Sequence, residues 1–216
     1  MVSFFVIAAL WPIATSLALP CAEQPSAPGM ICHDFHQPNG TLSSILVNDN
    51  LRARSDKPIP LPPVNGDPPH FYRMDDAGYV VDACGATMYF DHEYEQPQFA
   101  DCDAIRQWAS NNKGQWMLFE SDQPASPASI ILYQHNTCAF SVVMEPETKA
   151  RGVTIGNSDV ADIIHDKLYD EGNTLGGGRG YTACNFNTND GQMRMRWYMV
   201  TPATAQDLPE LHGLTN

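Results

Sequence analysis

Apolar residues recur along this chain in two rhythms. Met193, Met195, Trp197 and Met199 alternate with Arg194, Arg196 and Tyr198, the period of a strand with one buried face. Thr87 to Phe90, Gln115 to Glu120, Ile130 to Tyr133 and Thr137 to Met144 are short runs rich in β-branched and aromatic residues, divided by turn residues, and predict strands. Cys102, Ile105, Trp108 and Ala109 fall on one side of a helix predicted over Asp101 to Ala109. Val160, Ile163, Ile164 and Leu168 form the apolar stripe of a second helix, Ser158 to Tyr169. Gly156 permits a tight turn before it, Asn157 or Ser158 supplies its cap, and Gly172 its stop. A glycine-rich turn, Gly176 to Gly180, leads into a strand through Tyr181 to Cys184. The order predicts an α+β domain over residues 78–202: an antiparallel sheet with two helices on one face, followed by a tail, 203–216.

The first third reads differently. Met1 to Leu17 is apolar and Ser16-Leu17-Ala18 fits a signal-peptidase site, so residues 1–18 are expected to be a secretory leader and the mature chain to begin at Leu19. Residues 19–77 are broken by prolines, and only Leu42 to Val47 is capable of a strand or helical turn. This segment is expected to be an extended, poorly structured arm. Asn39-Gly40-Thr41 within it is a glycosylation sequon expected to be used at Asn39.

Charge narrows the partners. The formal net charge is −13, which repels nucleic acid and anionic lipid. No stretch after the leader is long enough for a membrane helix. The six cysteines, Cys21, Cys32, Cys84, Cys102, Cys138 and Cys184, are an even set, which in a secreted protein reads as disulfides with the pairing open. No C-x-x-C or paired Cys/His spacing points to zinc.

The candidate chemistry is thin. Gly156-Asn157-Ser158-Asp159-Val160 is not a nucleophile elbow, and a capping role accounts for its polar residues better. His92-Glu93 opens like a metalloprotease helix, but Gln96 stands where the second histidine belongs. Cys32-His33-Asp34-Phe35-His36 has metal-ligating residue types, although Cys32 is more useful in a disulfide. The glycines at 176–180 lack the Lys-Ser/Thr of a phosphate-binding loop and read as a flexible turn. Asp91, Glu93, Glu95, Asp101 and Asp103 could supply paired carboxylates for glycoside hydrolysis, against the plainer reading of a solvated acidic loop and helix start. Trp108, Trp116 and Trp197 could form a sugar-stacking platform, against core packing, which their flanking periodicity favours. No catalytic residue, cofactor or metal is expected.

Cys84, Asp101-Cys102-x-x-Ile105, Gly114-x-Trp116, Thr137-Cys138-Ala139-Phe140, Gly156-Asn157-x-Asp159-Val160-x-x-Ile163-Ile164, Gly180-x-x-x-Cys184 and Arg196-Trp197-x-Met199 together resemble the fungal secreted effector domain called putative necrosis-inducing factor, over about residues 78–200. The resemblance implies a disulfide-bonded protein secreted by a fungus that provokes host cell death or suppresses competitors, with no catalytic residues to carry over. It gives four core cysteines and leaves two in the arm. The expected pairing is Cys84–Cys102, closing a short loop, Cys138–Cys184, and Cys21–Cys32 in the arm. The competing arrangement is Cys84–Cys184 with Cys102–Cys138, which requires the first and last strands of the domain to be neighbours. The order of elements through Gly191-Gln192-Met193-x-Met195 is also similar to a virally encoded killer toxin of smut fungi, an α/β sandwich that interferes with ion channels. Those toxins are basic and richer in cysteine, so a cationic channel-blocking residue does not carry over. The expectation is a monomeric, non-enzymatic secreted effector that binds a host or competitor surface component. The alternatives are a cell-wall-directed hydrolase or carbohydrate-binding protein, and a killer-toxin-like antimicrobial.

Overall fold

The structure is a computed structural model and describes residues 21, 29–48, 71–73, 83–90, 94–112, 114–145, 152–170, 176–186 and 191–209. In chain order the elements are β1 (Met30–His36), β2 (Leu42–Asn48), β3 (Phe71–Arg73), β4 (Cys84–Phe90), α1 (Phe99–Asn111), β5 (Gly114–Leu118), β6 (Ile130–His135), β7 (Cys138–Met144), β8 (Val153–Gly156), α2 (Asn157–His165), β9 (Gly178–Asn185), β10 (Gln192–Val200) and α3 (Pro202–Gln206). A π-helical turn, Asp166–Asp170, extends α2. Seven strands form one antiparallel sheet in the order β1-β2-β6-β7-β10-β9-β4, and β3-β5-β8 form a second. The predicted α+β class with an antiparallel sheet and disulfides is what the chain adopts.

Strand alternation sorts the side chains into two cores. Cys138, Phe140, Val142 and Met144 of β7 and Met195, Trp197 and Met199 of β10 join Ile105 and Trp108 of α1, Ile163 and Ile164 of α2, Trp116 of β5 and Ile155 of β8 in the main core. Their sequence neighbours Ala139, Val143, Tyr198 and Val200 face the other way, where Ala205 and Leu208 cover them. The segment expected to be a C-terminal tail therefore begins with a short helix that seals the second core. Its start is capped by Thr201, whose hydroxyl accepts from the Thr204 amide.

Three expectations are corrected. Residues 30–48 of the supposed arm are a β-hairpin on the edge of the large sheet, with Ile45, Leu46 and Val47 buried. Pro38 sits in the hairpin's turn and the other prolines lie outside it, so none interrupts its strands and proline density misjudged it. The glycines at 178 and 180 are not in a flexible turn but in β9, buried beneath Lys167 and Trp197. The pairing Cys84–Cys102 with Cys138–Cys184 is overturned: the bridges are Cys84–Cys184, Cys102–Cys138 and Cys21–Cys32. Cys84 and Cys184 stand opposite each other because β4 pairs with β9, and α1 lies over β6 and β7, which brings Cys102 to Cys138. Residues 1–20, with the expected leader, and Gly172 lie outside the described residues.

The motif residues are anchors. The buried Asp159 carboxylate accepts the amides of Ala83 (3.0 Å), Cys84 (3.1 Å) and Gly156 (2.7 Å), joining the start of α2 to the start of β4. It serves the helix start in place of the capping expected from Asn157 or Ser158. Asn157 instead accepts the Tyr133 hydroxyl at 2.5 Å and donates to the Asn112 carbonyl. Asp159→Asn retains the shape but offers its amide group to a backbone donor, so a loss of about 2–3 kcal/mol is expected in urea denaturation. A stability unchanged from wild type would show that these bonds contribute nothing.

Candidate binding face

Among the described residues, the carboxylates proposed for hydrolysis are engaged separately. Asp91 and Glu93 lie outside the described residues, as does His92, and Glu95 is exposed. Asp101 is buried in the first turn of α1. Its Oδ1 accepts from Asn136 Nδ2 at 3.0 Å, and its Oδ2 accepts from the Thr137 amide at 3.1 Å and the Thr137 hydroxyl at 2.5 Å. Asn136 holds a positive φ of 44° in the two-residue β6–β7 turn, a conformation that asparagine tolerates. Asp101 and Cys102 thus fasten α1 to Thr137 and Cys138, one by hydrogen bonds and the other by a bridge. Asp103 is engaged separately, by Arg106 at 2.6 Å and Gln107 at 2.7 Å.

The metal-type residues of β1 are likewise committed to separate contacts. Cys32 is bonded to Cys21, and Asp34 accepts the Cys21 amide at 3.1 Å. The His33 ring lies 5.4 Å from that of Trp108, and His36 Nδ1 is 3.4 Å from the Gly40 carbonyl. Asn39 is exposed at the tip of the β1–β2 hairpin, its Oδ1 accepting the Thr41 amide at 2.9 Å. Trp108, Trp116 and Trp197 are core residues, 7%, 0% and 0% exposed.

Beside Asp101 lies His135, 3% exposed. Its Nδ1 is 2.5 Å from the Ser44 carbonyl and so donates to it, while Asn136 Nδ2 donates to Nε2 at 3.2 Å. That arrangement needs a neutral ring. Burial lowers its pKa, opposed by the Ser44 carbonyl and by Asp101. A histidine depressed in the folded state contributes stability that is complete above its unfolded pKa, about 6.5, and is lost as pH falls through that value toward the folded one. Denaturant midpoints are therefore expected to fall between pH 7 and pH 5, with the His135 ring titrating below a free histidine by NMR. A ring that titrates at or above the free value would contradict this.

Cationic and aromatic side chains gather on the outer face of β4, β9 and β10. Cross-strand register sets Met88 beside Tyr181 and Tyr181 beside Arg196, and in the next row Phe90 beside Arg179 and Arg179 beside Tyr198. Phe90 meets Tyr181 edge-to-face at 5.7 Å. The Arg194 guanidinium lies over the Tyr181 ring at 4.6 Å, and that of Arg196 at 5.8 Å. Arg196 is held by both oxygens of Glu145, at 2.6 and 3.3 Å, a bond that keeps its charge more firmly than usual. Burial raises the Tyr198 pKa, opposed by Arg196 and Arg179 nearby. Phe90, Arg179, Gly180, Tyr181, Arg196 and Tyr198 line a groove of about 260 Å³. Sequence alternation exposed Arg194 and Arg196 as an outward pair. Phe90 and Arg179 come from other strands, and only the register brings them in.

The fold and this face define a disulfide-stapled α+β sandwich with a side-chain-lined sheet surface. Residues 83–184 match the family Hce2, described as pathogen effector, putative necrosis-inducing factor. This match supports the expected resemblance to a necrosis-inducing effector domain, over a span narrower than the 78–200 expected. Phe90, Arg179 and Tyr181 fall inside the match; Arg194, Arg196 and Tyr198 lie beyond it. No curated protein matches the chain.

Proposed function

We propose that the protein is a secreted effector that binds a component of a host or competitor surface without turning it over, and that the outer face of β4, β9 and β10 is where it binds. The observation carrying this reading is the convergence of Arg179, Arg194 and Arg196 with Phe90 and Tyr181 on one open face of a chain whose net charge is −13. Arginine and tyrosine are the side chains that most often anchor binding surfaces. The separate engagement of Asp101 and Asp103 supports a non-catalytic mode. Three bridges using all six cysteines suit an oxidising exterior. No helix among the described residues is long and apolar enough to cross a membrane.

Infiltration of purified protein into leaf tissue tests the reading. Cell death is expected, unchanged when Asp91, Glu93 and Glu95 are neutralised together, and lost in Arg194→Gln/Tyr181→Ala. Turnover of a glycan or peptide panel that vanishes on a single carboxylate substitution would overturn it. Secreted protein is expected to begin at Leu19.

A further inference from the structure

The edge of the large sheet farthest from the binding face is open. The sheet runs β1-β2-β6-β7-β10-β9-β4, so β1 and β4 are its outer strands. The β1–β2 turn fixes which backbone groups of β1 point outward. Gln37 donates its amide to the Thr41 carbonyl at 2.9 Å, and the Gly40 amide donates to the Gln37 carbonyl at 2.8 Å. Counted back along the antiparallel register from that bonded pair, Phe35, His33 and Ile31 turn their amides and carbonyls to β2. His36, Asp34, Cys32 and Met30 turn theirs away from it. The partner strand agrees: Ser44 stands opposite Asp34, and its carbonyl accepts from His135 of β6. Among the described residues, no bond takes the outward groups of β1. Cys21 is tied to side chains of this strand, the Cys32 sulfur and Asp34 Oδ1, and not to its backbone.

An open edge of seven residues is a template for another strand. Its own side chains single out a second copy of the chain as that strand. An antiparallel copy related by a two-fold axis through His33 uses all seven residues. Met30 then bonds with His36 of the second copy and Cys32 with its Asp34, so every outward group meets a counterpart. Ile31, 45% exposed in the single chain, falls opposite the half-buried Phe35 of the second copy, an aliphatic–aromatic pair of the kind that stabilises sheets. An axis through Asp34 would set two carboxylates face to face, and one through Cys32 would leave Phe35 opposite Gly29, outside the strand. The net charge of −13 on each copy opposes association, but charges farther apart than about 8 Å are screened at physiological salt. β1 itself carries one carboxylate, Asp34, and no lysine or arginine. The Asn39 sequon lies in the turn, beyond the paired residues.

We propose that two copies of the chain join through β1 into one continuous antiparallel sheet that carries a binding face at each end. This departs from the monomer that the sequence suggests. The use of two faces, an avidity gain on a surface, rests on the reading that β4, β9 and β10 bind; the pairing itself does not. Seven residues a side is far below the roughly 20–30 of a stable interface, so the dimer is weak and reversible. Sedimentation of the full secreted chain is expected to give a dissociation constant of about 10–100 µM, which tightens as salt is raised. Amide exchange followed by NMR gives the signature of the edge. The Met30, Cys32, Asp34 and His36 amides are expected to slow as concentration rises, while those of Ile31, His33 and Phe35 are slow throughout. In a mixture of differently labelled copies, an NOE from the Ile31 methyls of one to the Phe35 ring of the other fixes the register. Ile31→Lys is expected to weaken pairing at least about tenfold. His36→Pro removes an outward amide and leaves the β1–β2 ladder intact, so it should weaken pairing without unfolding the chain. Both positions are exposed in the single chain. A chain that stays monomeric to about ten times the expected constant, protection on another strand, or equal slowing of all β1 amides overturns the proposal. Arg194→Gln/Tyr181→Ala is expected to pair as wild type does. Cell death caused by a chain that never pairs sinks this inference and spares the binding face. Pairing without cell death sinks that reading and leaves the dimer standing.

Discussion

Gly180→Ala is expected to cost about 3 kcal/mol or more, at or beyond the upper end of what overpacking usually costs. A Cβ at this position would stand 1.8 Å from the Met88 carbonyl oxygen and 2.7–2.8 Å from the Trp197 ring. Neither neighbour can retreat cheaply. Met88 is held in the β4–β9 ladder, where Tyr89 faces Gly180. Trp197 is fully buried, with Tyr89 edge-on at 5.4 Å and Phe140 stacked at 6.4 Å. The glycine is therefore the space into which an aromatic pair packs across the strand. Gly85→Ala is the control. Its Cβ would meet nothing closer than the Gln192 side chain at 3.5 Å, so a change within about 0.5 kcal/mol is expected. Urea denaturation with the bridges intact compares them. A Gly180→Ala protein as stable as Gly85→Ala would show that β4 and β9 are not packed this closely. Because β4 delivers Phe90 to the groove, the same substitution should loosen the binding face.

The elements most legible in the sequence were those whose periodicity is imposed by a single core. The stripe of α2, the buried side of α1 and the alternation of β10 each face one apolar layer, so composition alone displayed them. What remained hidden depended on distant neighbours. β1 is an edge strand of mostly half-buried and exposed positions, and its Cys-His-Asp-Phe-His run carries no apolar signal. Val153 to Gly156, where the sequence shows only the tight turn that Gly156 permits, is a short strand paired with β5. Gly178 and Gly180 suggest flexibility when read alone, and close packing once Lys167 and Trp197 are placed over them. The acidic candidates failed for a related reason. Asp101 and Asp103 are two residues apart in sequence, yet on a helix they point to different neighbours, one to the β6–β7 turn and the other to Arg106. The groove was half legible, since a strand face shows its own Arg194 and Arg196 but not what adjacent strands bring beside them.

Removal of the outer bridge, as Cys84→Ala/Cys184→Ala, is expected to be the most costly of the three disulfide deletions. The arrangement is nested, with Cys102–Cys138 inside the loop that Cys84–Cys184 closes. The outer bridge joins residues 100 apart, the inner one 36 and the N-terminal one 11. Loop-closure entropy alone gives about 4–5 kcal/mol for the outer bridge, about 4 for the inner and about 3 for the last. Burial separates them further. Cys84 is 9% exposed and Cys184 fully buried in the main core, whereas Cys21 and Cys32 are half-buried at the sheet edge. The expected order of denaturant midpoints is therefore N-terminal deletion highest, inner deletion lower, outer deletion lowest. Non-reducing peptide mapping must first find Cys84 linked to Cys184, since a Cys84–Cys102 peptide would refute the topology itself. The outer deletion also has a local signature. β4 is the last strand of the sheet, paired on one side by β9, and without the bridge its remaining ties include the ladder, the Asp159 carboxylate, the 2.7 Å bond from Tyr89 to Asp166 and the ring contacts of Tyr89 and Phe90. Its amides should then exchange with solvent well before those of β7 and β10, and affinity at the groove should fall while most of the sheet is still folded. Exchange in β4 that stays as slow as in β10 would mean that the bridge is not what holds the binding face together.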